Sequence, residues 1–183
     1  MKIAPLHDRE AERLAALHAS GAIGAGDEEP FSRFARIARA FADTPVAAIS
    51  LVDANRQWFR GCAGQWLRES PRSVSFCAHA LHEREMLYVP DASADERFRD
   101  NPIVTGAPHV RFYAGFPLYL GDGLPIGALC VIDHRPREFN AGQLARLRDL
   151  ADCLQRELAV QALLREVGSL RRSRAMQALA PLH

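Results

Sequence analysis

The chain has 183 residues, 48% of them hydrophobic and 25% charged, a length that suits one domain with extensions and is too short for two ordinary ones. Its 23 Lys and Arg against 22 Asp and Glu leave a net charge of +1, which excludes bulk electrostatic attraction to nucleic acid or to a membrane surface. The polar start lacks the apolar stretch of a signal peptide, and no apolar run approaches membrane-spanning length; the expected location is the cytoplasm, with neither nucleic acid nor membrane as a partner.

Leu6, Leu14 and Leu17 recur at helical spacing in a charged stretch and predict a short amphipathic arm over residues 1–28, marginal on its own and broken between Gly21 and Gly26. Glu29-Pro30 opens the next helix, since proline is tolerated in a first turn. Phe31, Phe34, Ala38 and Phe41 give it one apolar stripe, and Thr44-Pro45 ends it.

Val46 to Asp53 is apolar at both parities and predicts a strand covered on both faces. Gln57 to Cys62 returns beside it, with Trp58 and Phe59 on opposite faces. Ser70-Pro71 breaks the chain. Ser73 or Ser75 then caps a helix running to about Glu83. Met86 to Pro90 predicts a short strand. Asp91 to Pro108 is rich in Asp, Asn, Pro and Gly and reads as loop with one helical turn near Glu96; so long a connection points to a ligand-covering segment.

Val110 to Asp133 predicts a hairpin about Gly121-Asp122-Gly123. Its even positions Val110, Phe112, Ala114, Phe116, Leu118 and Leu120 form one apolar face, while Arg111 and Tyr113 lie on a mixed face suited to lining a pocket. Ile126 to Ile132 is apolar at both parities, as a central strand requires. Asn140 followed by Gln143 is close to a capping box. From Leu144 onward Leu147, Ala151, Leu154 and Leu158 carry a helical repeat that persists through Leu164, Val167 and Leu170, with Gly168 a weak point. That helix is longer than one small sheet needs for cover, so its surplus, residues 161–183, is expected to pack on another chain.

The order of elements, with Ile49-Ser-Leu-Val-Asp53, Arg56-Gln-Trp-Phe59, Ser75-Phe-Cys-Ala-His79, Val89-Pro-Asp91, Asp95 with Arg97-Phe98, Asn101-Pro102, Arg111-Phe-Tyr-Ala-Gly115 and Gly127-Ala-Leu-Cys-Val-Ile-Asp133, resembles a GAF domain over residues 29–160. The likeness is to bacterial GAF modules found beside cyclic-dinucleotide synthases and histidine kinases. It implies an α+β fold of the GAF/PAS kind: a central antiparallel β-sheet with helices packed on one face and loops covering a pocket on the other. No output domain fits beside it in this length, so a separate output protein is the expected partner, together with a second copy in a homodimer.

Within that frame the expected ligand-binding residues are Arg111, Tyr113, Asp91, Arg97, His79, Cys130 and Trp58. Arg111, near the start of a central strand, must pair with an acidic loop residue or an anionic ligand group. Asp91 and Arg97 belong to the covering loop, although Asp91, Asp95, Asp100 and Asn101 also suit local turns. Tyr113 and Cys130 are plausible pocket walls that core packing explains equally well. His79, His82 and Glu83 share a helix face at a spacing metals use, but they read as a solvated face, with His79 an uncharged hydrogen-bonder; no metal is expected. Cys77, opposite His79 on that helix, reads as a packed core thiol rather than half of a Cys–His dyad. The four cysteines, Cys62, Cys77, Cys130 and Cys153, are far apart with no C-x-x-C and read as reduced thiols.

Two specialisations of the resembled family are tested by residues. Covalent bilin attachment requires a Cys-His pair before the hairpin, where this chain has Ala107-Pro-His109. Free methionine sulfoxide reduction requires cysteines grouped at one pocket, and these read as scattered. No cofactor is implied. The expected function is a non-enzymatic sensory module that binds an unidentified small molecule and signals through its terminal helices. The alternatives are a redox enzyme of the methionine sulfoxide type and a ligand-free dimerisation scaffold, which a sealed cavity around Trp58 and Phe76 would favour.

Overall fold

The structure is a computed structural model that describes residues 1–24, 29–65, 67–121 and 123–178, with side chains described as far as residue 173. Six strands, β1 (Val46–Val52), β2 (Arg56–Ala63), β3 (Glu69–Pro71), β4 (Leu87–Val89), β5 (Phe112–Leu120) and β6 (Leu124–Asp133), form one antiparallel sheet in the order β3-β2-β1-β6-β5-β4. The two strands that are apolar at both parities, β1 and β6, lie at the centre and are buried along their whole length. Burial on both faces demands that pattern, because neither parity ever meets water.

Three helices cover one face: α1 (Glu10–Ala19), α2 (Glu29–Ala42) and α5 (Ala141–Ala178). Ile49 and Leu51 of β1, Phe112, Phe116 and Leu118 of β5 and Leu129 and Val131 of β6 meet Leu17, Phe31, Leu147, Leu154 and Leu158 there. Each of these large apolar side chains contributes about 1.5–3 kcal/mol on burial. Two short helices, α3 (Phe76–Ala80) and α4 (Pro102–Thr105), pack on the other face with the segment between β4 and β5. Among the described residues no helix is long and apolar enough to cross a membrane.

Several local expectations are corrected. Val110 precedes β5 and joins the second core, not the helix-side face. The α2 stripe is rotated: Phe31, Ala35, Ala38 and Ala42 are buried, Phe34 is half-buried and Phe41 is exposed. Small residues win because α2 lies directly on β2; a Cβ at Gly61 would stand 2.5 Å from the Phe31 carbonyl carbon. Leu6 is exposed, and α1 begins only at Glu10. Ser70-Pro71, read as a break, belongs to the edge strand β3, where a missing N–H costs little. Ser75, and not Ser73, caps α3 by accepting the Ala78 N–H at 3.0 Å, and the helix stops at Ala80. The expected helical turn near Glu96 is present, with the Phe98 and Arg99 N–H groups donating to the Asp95 carbonyl at 3.0 and 2.8 Å, and a second turn, unexpected, follows at Pro102–Thr105, where Asn101 accepts the Ile103 N–H.

Other features match. Asn140 and Gln143 exchange side-chain-to-backbone bonds at 2.9 and 3.1 Å, a complete capping box at the start of α5. The Gly21–Gly26 break is described only to Gly24, and Asp122 of the hairpin turn lies outside the described residues; Gly121 and Gly123 flank it with φ of 51° and 76°.

Candidate functional site

The sheet face away from the long helices carries the chemistry. A bulge between Ile49 and Ser50 of β1 inserts Arg60 into β2, so Phe59 pairs with Ser50 and Gln57 with Val52 on this face. Tyr113 of β5 and Cys130 of β6 project from the same side, and α3 lays Cys77 over them. All three are buried.

The Cys77 sulfur is the meeting point. It accepts the Tyr113 hydroxyl hydrogen at 3.1 Å and the Gln57 Nε2 hydrogen at 3.3 Å, and it lies 3.9 Å from the Cys130 sulfur. The Ser75 hydroxyl donates to Gln57 Oε1, which fixes the amide so that its NH2 end faces the sulfur. The Cys130 thiol in turn contacts the Ala48 carbonyl at 3.5 Å. Burial opposes a charge on Cys77, but the hydrogen bonds at its sulfur, with Cys130, Tyr113 and Gln57 among the partners, outweigh it, and the thiol is held below its ordinary range. Cys130 is pushed well up by its contact with Cys77 and by burial. Burial, with the neighbouring sulfurs, also pushes the Tyr113 hydroxyl well up, so it stays a donor.

A lid closes the face. Phe98, from the segment between β4 and β5, stacks on Phe76 with ring centres 3.9 Å apart and planes 10° from parallel, and Phe76 contacts Tyr113. A cavity of about 20 Å³ remains beside Cys77, lined by Gln57, Phe59, Ser75, Tyr113 and Ile132 among others, which is room for one water-sized molecule. Residues 2–5 lie across α3 and the lid: Lys2 N–H donates to the Arg97 carbonyl, and Ala4 joins the second core.

The expected site residues fall into three places. Tyr113 and Cys130 meet at the Cys77 cluster. At the rim, Arg111 pairs with Asp91, donating through Nε and Nη2 at 2.9 and 2.8 Å; it answers to a loop carboxylate. His79 and Arg97 flank Phe98 from outside, at 4.8 and 5.2 Å from its ring, rather than reaching into the cavity. Arg97 is tied to Asp95, and His79 Nε2 to the Lys2 carbonyl at 3.0 Å. Burial lowers the His79 pKa and keeps the ring neutral, as the hydrogen-bonding role requires. Trp58 stands apart: it pairs with Leu51, which places it on the helix side, so it cannot line this cavity.

The sequence reading missed Gln57 and Ser75 as members of the site and gave Cys77 only a packing role. Gln57 carried a usable signal, since it is polar at the parity of the core residue Phe59. A larger concavity, about 1130 Å³, lies elsewhere, between the end of α1, the β5–β6 turn and the distal half of α5. It is an open groove without the buried polar cluster.

Comparison with known proteins agrees with this architecture. The chain is 44% identical over 151 residues to a cyclic di-GMP phosphodiesterase of Pseudomonas aeruginosa, covering 82% of this chain and 25% of that protein; it spans about a quarter of the relative's length. Two solved structures share the fold alone. The free methionine-R-sulfoxide reductase of Neisseria meningitidis has a TM-score of 0.59 at 20% identity over 87% of this chain and 99% of its own. The GAF domain of an Acinetobacter phosphoenolpyruvate-protein phosphotransferase has a TM-score of 0.59 at 16% identity, covering 84% and 94%. The family model for the GAF domain matches residues 28–158, most of the chain, and with the sheet order and lidded face described above it places this chain in the GAF domain family.

Proposed function

We propose that this GAF domain is a non-enzymatic regulatory module that admits a small molecule beneath the 91–108 lid and passes its occupancy through α5 to a second copy and a separate output protein. The observation that carries the reading is the division of α5 into two apolar faces. Leu147, Leu150, Ala151, Leu154 and Leu158 pack on the sheet, whereas Val160, Leu163, Leu164, Val167 and Leu170 are exposed on the opposite side of the same helix. At 38 residues α5 spans about 57 Å, so its distal half extends well past the sheet. A helix clamped to a ligand-facing sheet at one end and to a partner at the other couples the two if the ligand prefers one packing over the other.

The Pseudomonas relative's named activity belongs to a protein of which the matching region is a quarter, so an output acting on cyclic dinucleotides is the natural assignment for what such a module regulates. A second reading, a ligand-free dimerisation module, is favoured by Phe76, Phe98 and Tyr113, which fill the pocket face and leave about 20 Å³. Native mass spectrometry of freshly purified protein, beside its denatured mass, separates the two. A non-covalent excess mass on a dimer supports the sensor. A bare dimer across a small-molecule screen supports the scaffold, and a monomer rejects both.

A further inference from the structure

We propose that Cys77 and Cys130 form a peroxide-reactive dithiol that closes to an internal disulfide beneath the lid. The inference stands independently of whether the domain also takes a small-molecule ligand.

A thiol that merely fills space needs no donors, and the apolar surroundings of this face would hold one without them. Cys77 instead receives the Tyr113 hydroxyl and the Gln57 amide, the latter oriented by Ser75. Two donors converging on one sulfur stabilise the thiolate, the form that reacts with peroxides. The second sulfur, on the adjacent central strand, is 3.9 Å away and so is placed to resolve whatever forms on the first. Cys130 faces the Ala48 carbonyl, an acceptor, and its thiol is pushed up where that of Cys77 is lowered, so Cys77 is the more readily ionised of the two. The roles are therefore unequal: Cys77 attacks and Cys130 resolves. The cavity beside Cys77 is a foothold next to the sulfur that must widen by about one oxygen atom to take a peroxide.

The chemistry balances with hydrogen peroxide as the oxidant. The Cys77 thiolate attacks one peroxide oxygen, the O–O bond breaks, and the departing hydroxide takes a proton to become water. Cys77 is left as a sulfenic acid. The Cys130 sulfur then attacks the Cys77 sulfur, the S–O bond breaks, and the leaving hydroxide carries off the Cys130 proton as a second water. Two thiols have lost two electrons to one peroxide. A dithiol reductant reverses the change by exchange. Closing the sulfur separation from 3.9 Å to the roughly 2.05 Å of a disulfide draws α3 toward β6. Because α3 carries Phe76 and His79, against which Phe98 and residue 2 rest, the lid must adjust with it.

The test treats the reduced, folded chain carrying Cys153→Ser with hydrogen peroxide, quenches with iodoacetamide in denaturant, and maps the peptides by mass. Expected is the paired loss of alkylation at Cys77 and Cys130, a linked peptide containing both, retained alkylation at Cys62 and reversal by dithiothreitol. Tyr113→Phe should slow the reaction about threefold, the effect of one pKa unit less thiolate partly offset by the greater nucleophilicity of a more basic sulfur. Cys130→Ser should trap a sulfenic acid on Cys77 that a cyclic 1,3-diketone labels once denaturant opens the lid. Full alkylation of both cysteines after peroxide, or a link from Cys77 to Cys62, overturns the proposal. Should Cys130→Ser fail to fold by circular dichroism, the mapping of the otherwise native chain decides by itself.

Discussion

Arg111 reaches back twenty residues to the Asp91 carboxylate and holds both of its oxygens, at 2.9 and 2.8 Å. Asp91 is where the lid begins and Arg111 is where the chain re-enters the sheet, so the pair ties the two ends of the lid together. The Ala92 N–H on the Arg111 carbonyl, at 2.6 Å, makes the same closure through the backbone. The Arg111 guanidinium holds the Asp91 carboxyl well below the usual carboxylate range, and the clamp stays charged through mildly acidic pH.

Arg111→Ala should therefore loosen the lid without unfolding the domain, because the side chain is half in water and the two cores do not rest on it. Hydrogen exchange of amides 92–106 should quicken, while the global unfolding midpoint stays nearly unchanged. Asp91→Asn should do the same, and the double variant should be no faster than either single one, the signature of a shared contact. Additive acceleration would mean that the two side chains act separately.

A second device lies at the other end of the domain. Arg13 of α1 is fully buried; it donates to the Glu10 carboxylate at 2.6 and 3.0 Å and to the Val52 carbonyl at 2.6 Å. Arg72, also buried, reaches the same carboxylate from the far side of the β1–β2 turn at 2.5 Å. One carboxylate thus bridges two guanidinium groups and fastens α1 to the sheet. Burial opposes its ionisation, but the two arginines dominate and lower the Glu10 pKa from 4.5 to about 2.

Glu10→Gln should cost about 2 kcal/mol at pH 7, less than a fully buried ion pair because the carboxylate keeps some solvent contact. The folded pKa is depressed, so the contribution is complete above the unfolded value near 4.5 and is lost as pH falls through about 2. Denaturant titrations of both proteins from pH 7 to pH 2 should show their difference shrinking over that window. A difference that is constant with pH would assign the effect to packing.

How far these features could be read from the sequence follows from what each depends on. Strands β1 and β6 announced themselves because burial on both faces leaves no parity free for polar residues. The capping box at Asn140 was legible because its partners are three residues apart. Arg13 was not, since a charge on an amphipathic arm reads as solvated until Arg72 and the β1–β2 turn are brought around it. The Cys77 cluster joins α3 to β2, β5 and β6, and helix geometry alone could only show that Cys77 faces away from His79. Trp58 lies at the parity opposite Gln57 and Phe59, on the helix side, and the polar Gln57 was the one residue of β2 that signalled which face meets the site.

The exposed stripe on α5 makes the remaining prediction. Cys153, Val160 and Val167 recur at heptad spacing, as do Leu163 and Leu170, and Cys153 is an exposed free thiol. A parallel pairing of two copies along this seam sets the two Cys153 side chains across the axis from one another. Mild oxidation should then give a Cys153-linked dimer on a non-reducing gel, and sedimentation should give a dimer before oxidation. Leu163→Glu with Val167→Glu places like charges in the seam and should weaken the dimer on the order of a hundredfold, abolishing the cross-link. The sheet core lies on the other side of the helix, so the thermal unfolding of the charged variant should remain cooperative. A native chain that sediments as a monomer, or a charged variant that cross-links as well as the native chain, would remove the seam from the interface and with it the route by which α5 carries a signal.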